Sequence, residues 1–142
     1  MSDRQLLITR IDDTLTGDRW ALRRFADWYQ LNSDRLTLAY CSWRLLDEVE
    51  EFVASNSLPA PDAVIGGNGT EVHRYPSGQP IQGWGCNVEG WDAARVRDHL
   101  LHVESLSIDP DHLQSALRVR CVAPYRSSGE LHRIRRRMRK AG

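Results

Sequence analysis

A surplus charge of either sign is missing from this sequence. It has 19 lysines and arginines against 19 aspartates and glutamates, for a formal net charge of zero. No whole-molecule field therefore draws it to nucleic acid or to an anionic membrane, and only a local patch could do so. Cysteine is scarce: Cys41, Cys86 and Cys121 are odd in number and far apart. That pattern excludes a disulfide framework and lacks the ligand spacing of a zinc site. The three read as reduced, mostly buried thiols. Apolar runs of the roughly 18 residues that a membrane span needs are also missing. The opening MSDRQ does not have the basic, then greasy, then small-residue order of a secretion signal. The expected location is cytoplasmic, with no membrane partner. Histidine offers no metal set. His99 and His102 are three apart on a helical stretch, but no third ligand accompanies them.

What is there is enough for one ordinary globule: 142 residues, 41% of them hydrophobic, can build a packed core. Residues 5 to 9, QLLIT, are a short apolar run ending in turn chemistry, as expected of a buried parallel strand. Asp18 is a good N-cap, and Trp20, Leu22, Phe25, Trp28, Tyr29 and Leu31 recur at three- and four-residue spacing, which predicts an amphipathic helix over 19–32. A second unit repeats the pattern, with a strand over 36–40, a loop at Cys41-Ser42 and a helix over roughly 43–56. A third strand, 63–65, runs into GGNG, and 71–75 reads as a strand turning back.

Strands alternating with helices predict an α/β fold with a parallel sheet and ligands at the carboxyl ends of its strands. Position 10 is at such an end. From about Tyr75 the composition shifts to PSGQPIQGWGCN, rich in Gly and Pro, which reads as a linker. The predicted division is 1–78 and 79–142. The second part should hold a helix from Trp91-Asp92 to about His102, a strand over 117–122 and a last helix from Glu130 to Lys140. In that last helix Leu131, Ile134 and Met138 make an apolar stripe under a solvated basic face. No aromatic residue interleaves with the arginines there, so a nucleic-acid partner is not expected.

The pattern LLIT-x-IDDTLTGD, then LAYCSWR, then LPAPDAVIGGNGTEV, resembles the haloacid dehalogenase (HAD) superfamily of phosphatases, and within it the sucrose-phosphate phosphatase type. Gly90-Trp91-Asp92 and Gln114-Ser115 are similar to the opening of that group's cap. The resemblance implies a HAD-like Rossmannoid parallel sheet with helices on both faces over 1–78, and an incomplete α+β cap (C2-type) over 79–142. The implied activity is hydrolysis of a sugar-phosphate monoester through an aspartyl-phosphate, with Mg2+.

Two positions apart on an extended strand face the same side, so residues 10 and 12 point into one site. In the family the first carboxylate of this motif attacks phosphorus and binds magnesium, and the second gives a proton to the leaving oxygen. Asp12 matches the acid/base and is the one candidate metal ligand; Thr14 matches the motif threonine. Arg10 occupies the nucleophile's position. An arginine stays protonated and cannot attack. Three readings of it stand open: an inactivating change, an anion-binding arginine, or an ion-pair partner of Asp12 or Asp13.

Ser42 matches the hydroxyl residue that binds the transferring phosphoryl group, with bulky Trp43 beside it and Arg44 on the motif's arginine. Thr14, Ser42 and Arg44 are thus the candidate phosphate ligands. Glu71, in the Gly69-Thr70-Glu71 segment, is the candidate loop residue under the cap, and Trp84 and Trp91 could stack on a sugar. The resemblance also implies a later lysine and a Gly-Asp-x-x-Asn-Asp segment, neither of which is in these residues. The expectation is a sugar-phosphate phosphatase homologue that is catalytically impaired by itself. The alternative is a non-catalytic module that binds a sugar phosphate or another phosphorylated small molecule, or that serves in an oligomer. A sheet cut off after three parallel strands leaves an edge and an apolar face, so a homo-oligomer or a complementing chain is expected.

Overall fold

Side chains alternate along extended backbone, and on one strand Leu36, Leu38 and Tyr40 therefore form a single buried row. The first part of the protein is built around that row. The computed structural model describes residues 4–84, 90–123 and 128–141. Its main elements are β1 (Gln5–Arg10), α1 (Arg19–Asn32), β2 (Leu36–Cys41), α2 (Leu46–Ser55), β3 (Ala63–Gly66), β4 (Glu71–Arg74), α3 (Ala93–Leu101), β5 (Ser107–Ile108), β6 (Cys121–Val122) and α4 (Ser128–Ala141). They form two compact units, Met1–Cys86 and Asn87–Gly142. No helix among the described residues is long and apolar enough to cross a membrane.

The sheet of the first unit runs β1-β2-β3-β4, with the first three strands parallel and β4 antiparallel to β3. Two crossovers of the same hand that step in the same direction across a sheet leave their helices on the same face. That is what the packing records. Leu22, Phe25 and Tyr29 of α1 and Val49, Phe52 and Val53 of α2 join Leu7, Leu36, Leu38, Tyr40 and Val64 in one cluster. The α/β class holds. The sequence reading expects helices on both faces, but among the described residues of this unit they cover one. On the other face Leu6 and Ile8 of β1 are 62% and 53% exposed.

The α1 boundaries match the sequence reading. The Asp18 carboxylate accepts from the amides of Trp20 (2.8 Å) and Ala21 (3.1 Å), two donors that the first helical turn leaves without partners. The predicted stripe was too wide, however. At about 100° per residue, Trp20 and Leu31 stand opposite the core-facing Tyr29, and they are 79% and 86% exposed.

The Gly/Pro-rich stretch after Tyr75 is not a linker at its start. The Arg74 amide donates to Gln79 O (2.8 Å), the Ile81 amide to Val72 O (2.8 Å), and the Trp84 indole N–H to Gly69 O (2.8 Å). Residues 79–84 thus fold back on β4, and the unit division falls after residue 86 instead of near 78. Cys86 lies outside the described residues; Cys41 and Cys121 are free thiols, partly buried.

In the second unit α3 is capped by Asp92, which accepts from the amides of Ala94 (2.9 Å) and Arg95 (3.1 Å). The strand predicted over 117–122 shrinks to the two residues of β6, paired antiparallel with β5. The cause is Gln114. Its side-chain NH2 donates to Asp109 O (2.7 Å) and Arg120 O (2.9 Å), and its Oε1 accepts from the Arg120 amide (2.6 Å). A side-chain amide thereby does what a longer ladder would do. On α4, Ile134 and Met138 are half-buried and the arginines around them face solvent.

Leu38 is fully buried at the centre of the first unit. Leu38→Ala should lower unfolding free energy by about 2–5 kcal/mol, the usual range for a cavity of this size. Urea denaturation measures it, and a loss below about 1 kcal/mol would mean that the row is not packed as described.

Candidate functional site

The site starts from a buried anchor. Ile11, fully buried directly after β1, donates its amide to Cys41 O (3.2 Å) on β2. Its carbonyl then collects the amides of Thr14 (3.4 Å), Leu15 (2.9 Å) and Thr16 (3.2 Å). Asp13 takes a left-handed φ of 60° to allow this turn, a conformation that Asp tolerates better than most residues. The Asp13 amide donates to Thr16 Oγ1 (3.0 Å). The turn holds Asp12 against the end of β2.

There the Asp12 carboxylate is fully engaged. Ser42 Oγ donates to Oδ2 (2.8 Å), and Arg44 donates to Oδ1 through Nε (3.2 Å) and Nη2 (2.9 Å). The Arg44 amide donates to Ser42 Oγ (3.1 Å), which closes the ring of contacts. The Arg44 guanidinium also lies 4.8 Å from the Trp43 ring centre and 4.9 Å from that of Phe52, within cation–π range of both. Trp43 therefore serves here as a platform for its neighbour.

The loop carrying Ser42 and Arg44 is positioned by β3 and by GGNG. The Ser42 amide donates to Ile65 O (3.0 Å), the Gly67 amide to Arg44 O (2.8 Å) and the Asn68 amide to Ser42 O (3.1 Å). Gly67, Asn68 and Gly69 all have positive φ, at 57°, 60° and 89°. A side chain at Gly66 would put a Cβ 2.6 Å from Glu71 Oε1 and 3.1 Å from Arg44 O. The glycines thus serve a close approach of backbones.

Glu71 turns inward. Its Oε1 accepts from the Leu46 amide (3.0 Å) at the first turn of α2, and its Oε2 stands 3.6 Å from His73 Nε2. It caps a helix, where a carboxylate also suits the positive end of the dipole.

Burial pushes the Asp12 carboxyl upward, but the hydrogen bonds from Arg44 and Ser42 and the Arg44 charge outweigh it, so the pKa falls below the ordinary carboxylate value. Asp12, Ser42 and Arg44 are thus brought together, as the resemblance implied, but bonded to one another. Arg10 is elsewhere. It ends β1 beside Cys41, exposed, and its guanidinium makes no hydrogen bond or ion pair among the described residues. The ion-pair reading of Arg10 is corrected by this geometry, since the partner of Asp12 is Arg44 and Arg10 makes no ion pair with Asp12 or Asp13 among the described residues. Thr14 is exposed. Trp84 and Trp91 are 53% and 37% exposed, with their indole N–H groups on Gly69 O (2.8 Å) and Ala116 O (2.9 Å).

As a magnesium site the donor set does not fit. Both Asp12 oxygens are taken by cationic or hydroxyl donors, and the described residues hold no cluster of three or more His, Cys, Asp or Glu side chains placed to ligate a metal. The ring around Asp12 is the feature that sequence reasoning missed. The one available signal was Trp43-Arg44 followed by Phe52 on the next helix.

Comparison with known proteins agrees with this architecture. The sequence model of one family, sucrose-6F-phosphate phosphohydrolase, matches residues 3–142. Mannosylfructose-phosphate phosphatase of Agrobacterium fabrum (strain C58 / ATCC 33970) is 31% identical over 121 residues, which are 83% of this chain and 49% of that protein. The sucrose-phosphatase of Synechocystis sp. PCC6803, solved with sucrose and phosphate, superposes with a TM-score of 0.86 at 20% identity. A haloacid dehalogenase-like hydrolase of Bacillus subtilis does so with a TM-score of 0.59 at 14% identity. Each of these superpositions covers 99% of this chain and 57% of the other. The chain therefore spans about half the length of the relatives it matches.

The Asp12 carboxyl titrates below the roughly 3.9 of an unfolded chain. Its ionised form therefore contributes stability that is complete above about pH 4 and is lost as pH falls through the folded value. Asp12→Asn should flatten the pH dependence of the urea midpoint between about pH 5 and 2 relative to the parent. Arg44→Met should cost about 1–3 kcal/mol at pH 7, because it leaves a largely buried carboxylate with two donors fewer. Equal pH slopes for parent and Asp12→Asn would contradict the hydrogen-bonded carboxylate.

Proposed function

Because the chain belongs to the sucrose-6F-phosphate phosphohydrolase family of haloacid dehalogenase-like proteins, we propose that it is a sugar-phosphate-binding member in which the hydrolytic step has been lost. In this reading the first unit corresponds to the N-terminal part of the family's core and the second to part of its cap. The observation that carries the proposal is the division of labour between two arginines. Arg44 is spent on Asp12, whereas Arg10 is unpaired among the described residues at the carboxyl end of β1.

The chemistry follows from that division. Hydrolysis in this superfamily needs a carboxylate to attack phosphorus, and a guanidinium has no electron pair to give. Leaving-group protonation needs a carboxyl that holds its proton near neutral pH, and the donors around Asp12 stabilise the ionised form instead. Phosphatases of the superfamily generally use Mg2+; with Arg10 at the strand end, a fixed cation stands where that chemistry calls for a metal and its ligand. Arginine is well suited to hold a phosphate dianion through paired N–H donors. The exposed Thr14 hydroxyl is the nearest further donor along the chain.

The sugar end of the ligand comes from the relatives. One is a mannosylfructose-phosphate phosphatase, and another is a sucrose-phosphatase solved with sucrose and phosphate. Trp84 suits such a ligand, because its ring is half-exposed while its N–H is fixed on Gly69 O, and a flat aromatic face packs against the C–H face of a sugar.

Titration calorimetry tests the proposal with sucrose 6F-phosphate, mannosylfructose phosphate and inorganic phosphate. Saturable binding is expected for at least one sugar phosphate, weakened about tenfold or more by Arg10→Ala, with no phosphate released over hours. A flat titration for all three ligands would overturn the binding role. Phosphate release by the unaltered chain that disappears in Asp12→Asn would overturn the loss of hydrolysis.

A further inference from the structure

Helix α1 carries a second row, on the side away from the core. Trp20, Arg24, Asp27 and Leu31 follow one another at spacings of four, three and four residues, which at about 100° per residue sets them in one line along the helix. The line runs opposite Tyr29, the residue that α1 buries, and all four side chains are exposed. Single apolar side chains on a surface are ordinary. Trp20 and Leu31 are more than that, because they are the most exposed large apolar residues described and they bracket an arginine and an aspartate on the same line. Neither Arg24 nor Asp27 makes a side-chain hydrogen bond or ion pair among the described residues.

The order of the row narrows the occupant. From its amino end it reads apolar, cation, anion, apolar, and its midpoint falls between Phe25 and Ala26. Against an antiparallel copy of the same helix, Trp20 therefore meets the partner's Leu31 and Arg24 meets the partner's Asp27. Each contact occurs twice, as a two-fold axis requires. A parallel copy in the same register would instead set arginine on arginine and aspartate on aspartate, and such like-charge contacts suppress a pairing. Spacing of four, three and four is also that of the seam along which two helices pack side by side. Trp28, 47% exposed, stands on the same flank of the row as the small, exposed Ala21, so its ring has the partner's Ala21 to cover.

We propose that this face of α1 is a homodimer interface, in which two copies of the chain pair antiparallel through Trp20, Arg24, Asp27 and Leu31. Tryptophan and arginine are the residues that carry much of the binding energy in protein interfaces, and here the apolar ends exclude water on either side of the two ion pairs. A single helix pair with a row about 17 Å long belongs to the small class of interfaces, below roughly 1,200 Å², so the dimer forms and dissociates with concentration. The row contains no residue of the Asp12 site, and the inference does not rest on sugar-phosphate binding.

Sedimentation velocity over about two decades of protein concentration in the micromolar range reads the association. A monomer–dimer equilibrium is expected. Arg24→Asp and Asp27→Arg, each alone, should weaken it about tenfold or more, because each sets like charges face to face. Leu31→Lys should do the same by removing an apolar end. All three side chains face water in the monomer, so the variants should keep the parent's circular dichroism. An equimolar mixture of Arg24→Asp and Asp27→Arg should form a heterodimer, since the acidic row of one then meets the basic row of the other, and a chain carrying both substitutions should pair with itself as the parent does. A change confined to the stability of the helix would not restore pairing in the mixture. A protein that is monomeric at every concentration would overturn the proposal, as would a dimer that the charge reversals leave unchanged or a mixture that fails to pair.

Discussion

A carboxylate that is 15% exposed cannot stay ionised at the end of a sheet without partners, and the cost of removing its water is met here by Arg44 and Ser42. Much of the surrounding structure serves that requirement. Ile11 is buried so that the turn after β1 delivers Asp12 to the end of β2. Trp43 and Phe52 hold the guanidinium from two sides, which fixes a long side chain that would otherwise lose much rotamer freedom on pairing. The left-handed residues of GGNG bring amides onto the carbonyls of Ser42 and Arg44, and Glu71 ties the same turn to the first turn of α2.

The backbone of this strand end is held by contacts that do not involve the side chain at position 10. Where an aspartate stood at position 10, two carboxylates would repel and call for a cation between them. In this chain position 10 is an arginine, and Asp12 is bonded to Arg44. The strand, the turn and the motif-like sequence survive because their backbone roles do not depend on which charge position 10 carries. The residue that departs from the family pattern is exposed, where a change of charge costs the fold little.

Membership in the sucrose-6F-phosphate phosphohydrolase family and a span of about half its longer relatives bear on the same point. The first unit has a well-filled core on one side of its sheet, yet apolar side chains on the other. The imbalance is local: it is confined to β1 and the row behind it, not spread as loose packing through the unit.

Much of this was readable in the order of residues. Strand and helix positions follow from short apolar runs and from three- and four-residue spacing, and Asp18 and Asp92 announce helix starts because local hydrogen bonding decides them. The family likeness rests on LLIT-x-IDDTLTGD and LAYCSWR, short stretches that run from β1 and β2 into the loops at their carboxyl ends. What the tertiary structure alone decided is how distant groups pair. Arg44 reaches back to Asp12, Glu71 caps α2, Gln114 replaces part of a strand, and residues 79–84 return to β4 although their composition resembles a linker. It also decided that both helices share one face of the sheet and that Trp20 and Leu31 point away from the core. Periodicity fixes which residues share a side of an element. Only the packing of elements against each other determines what that side meets.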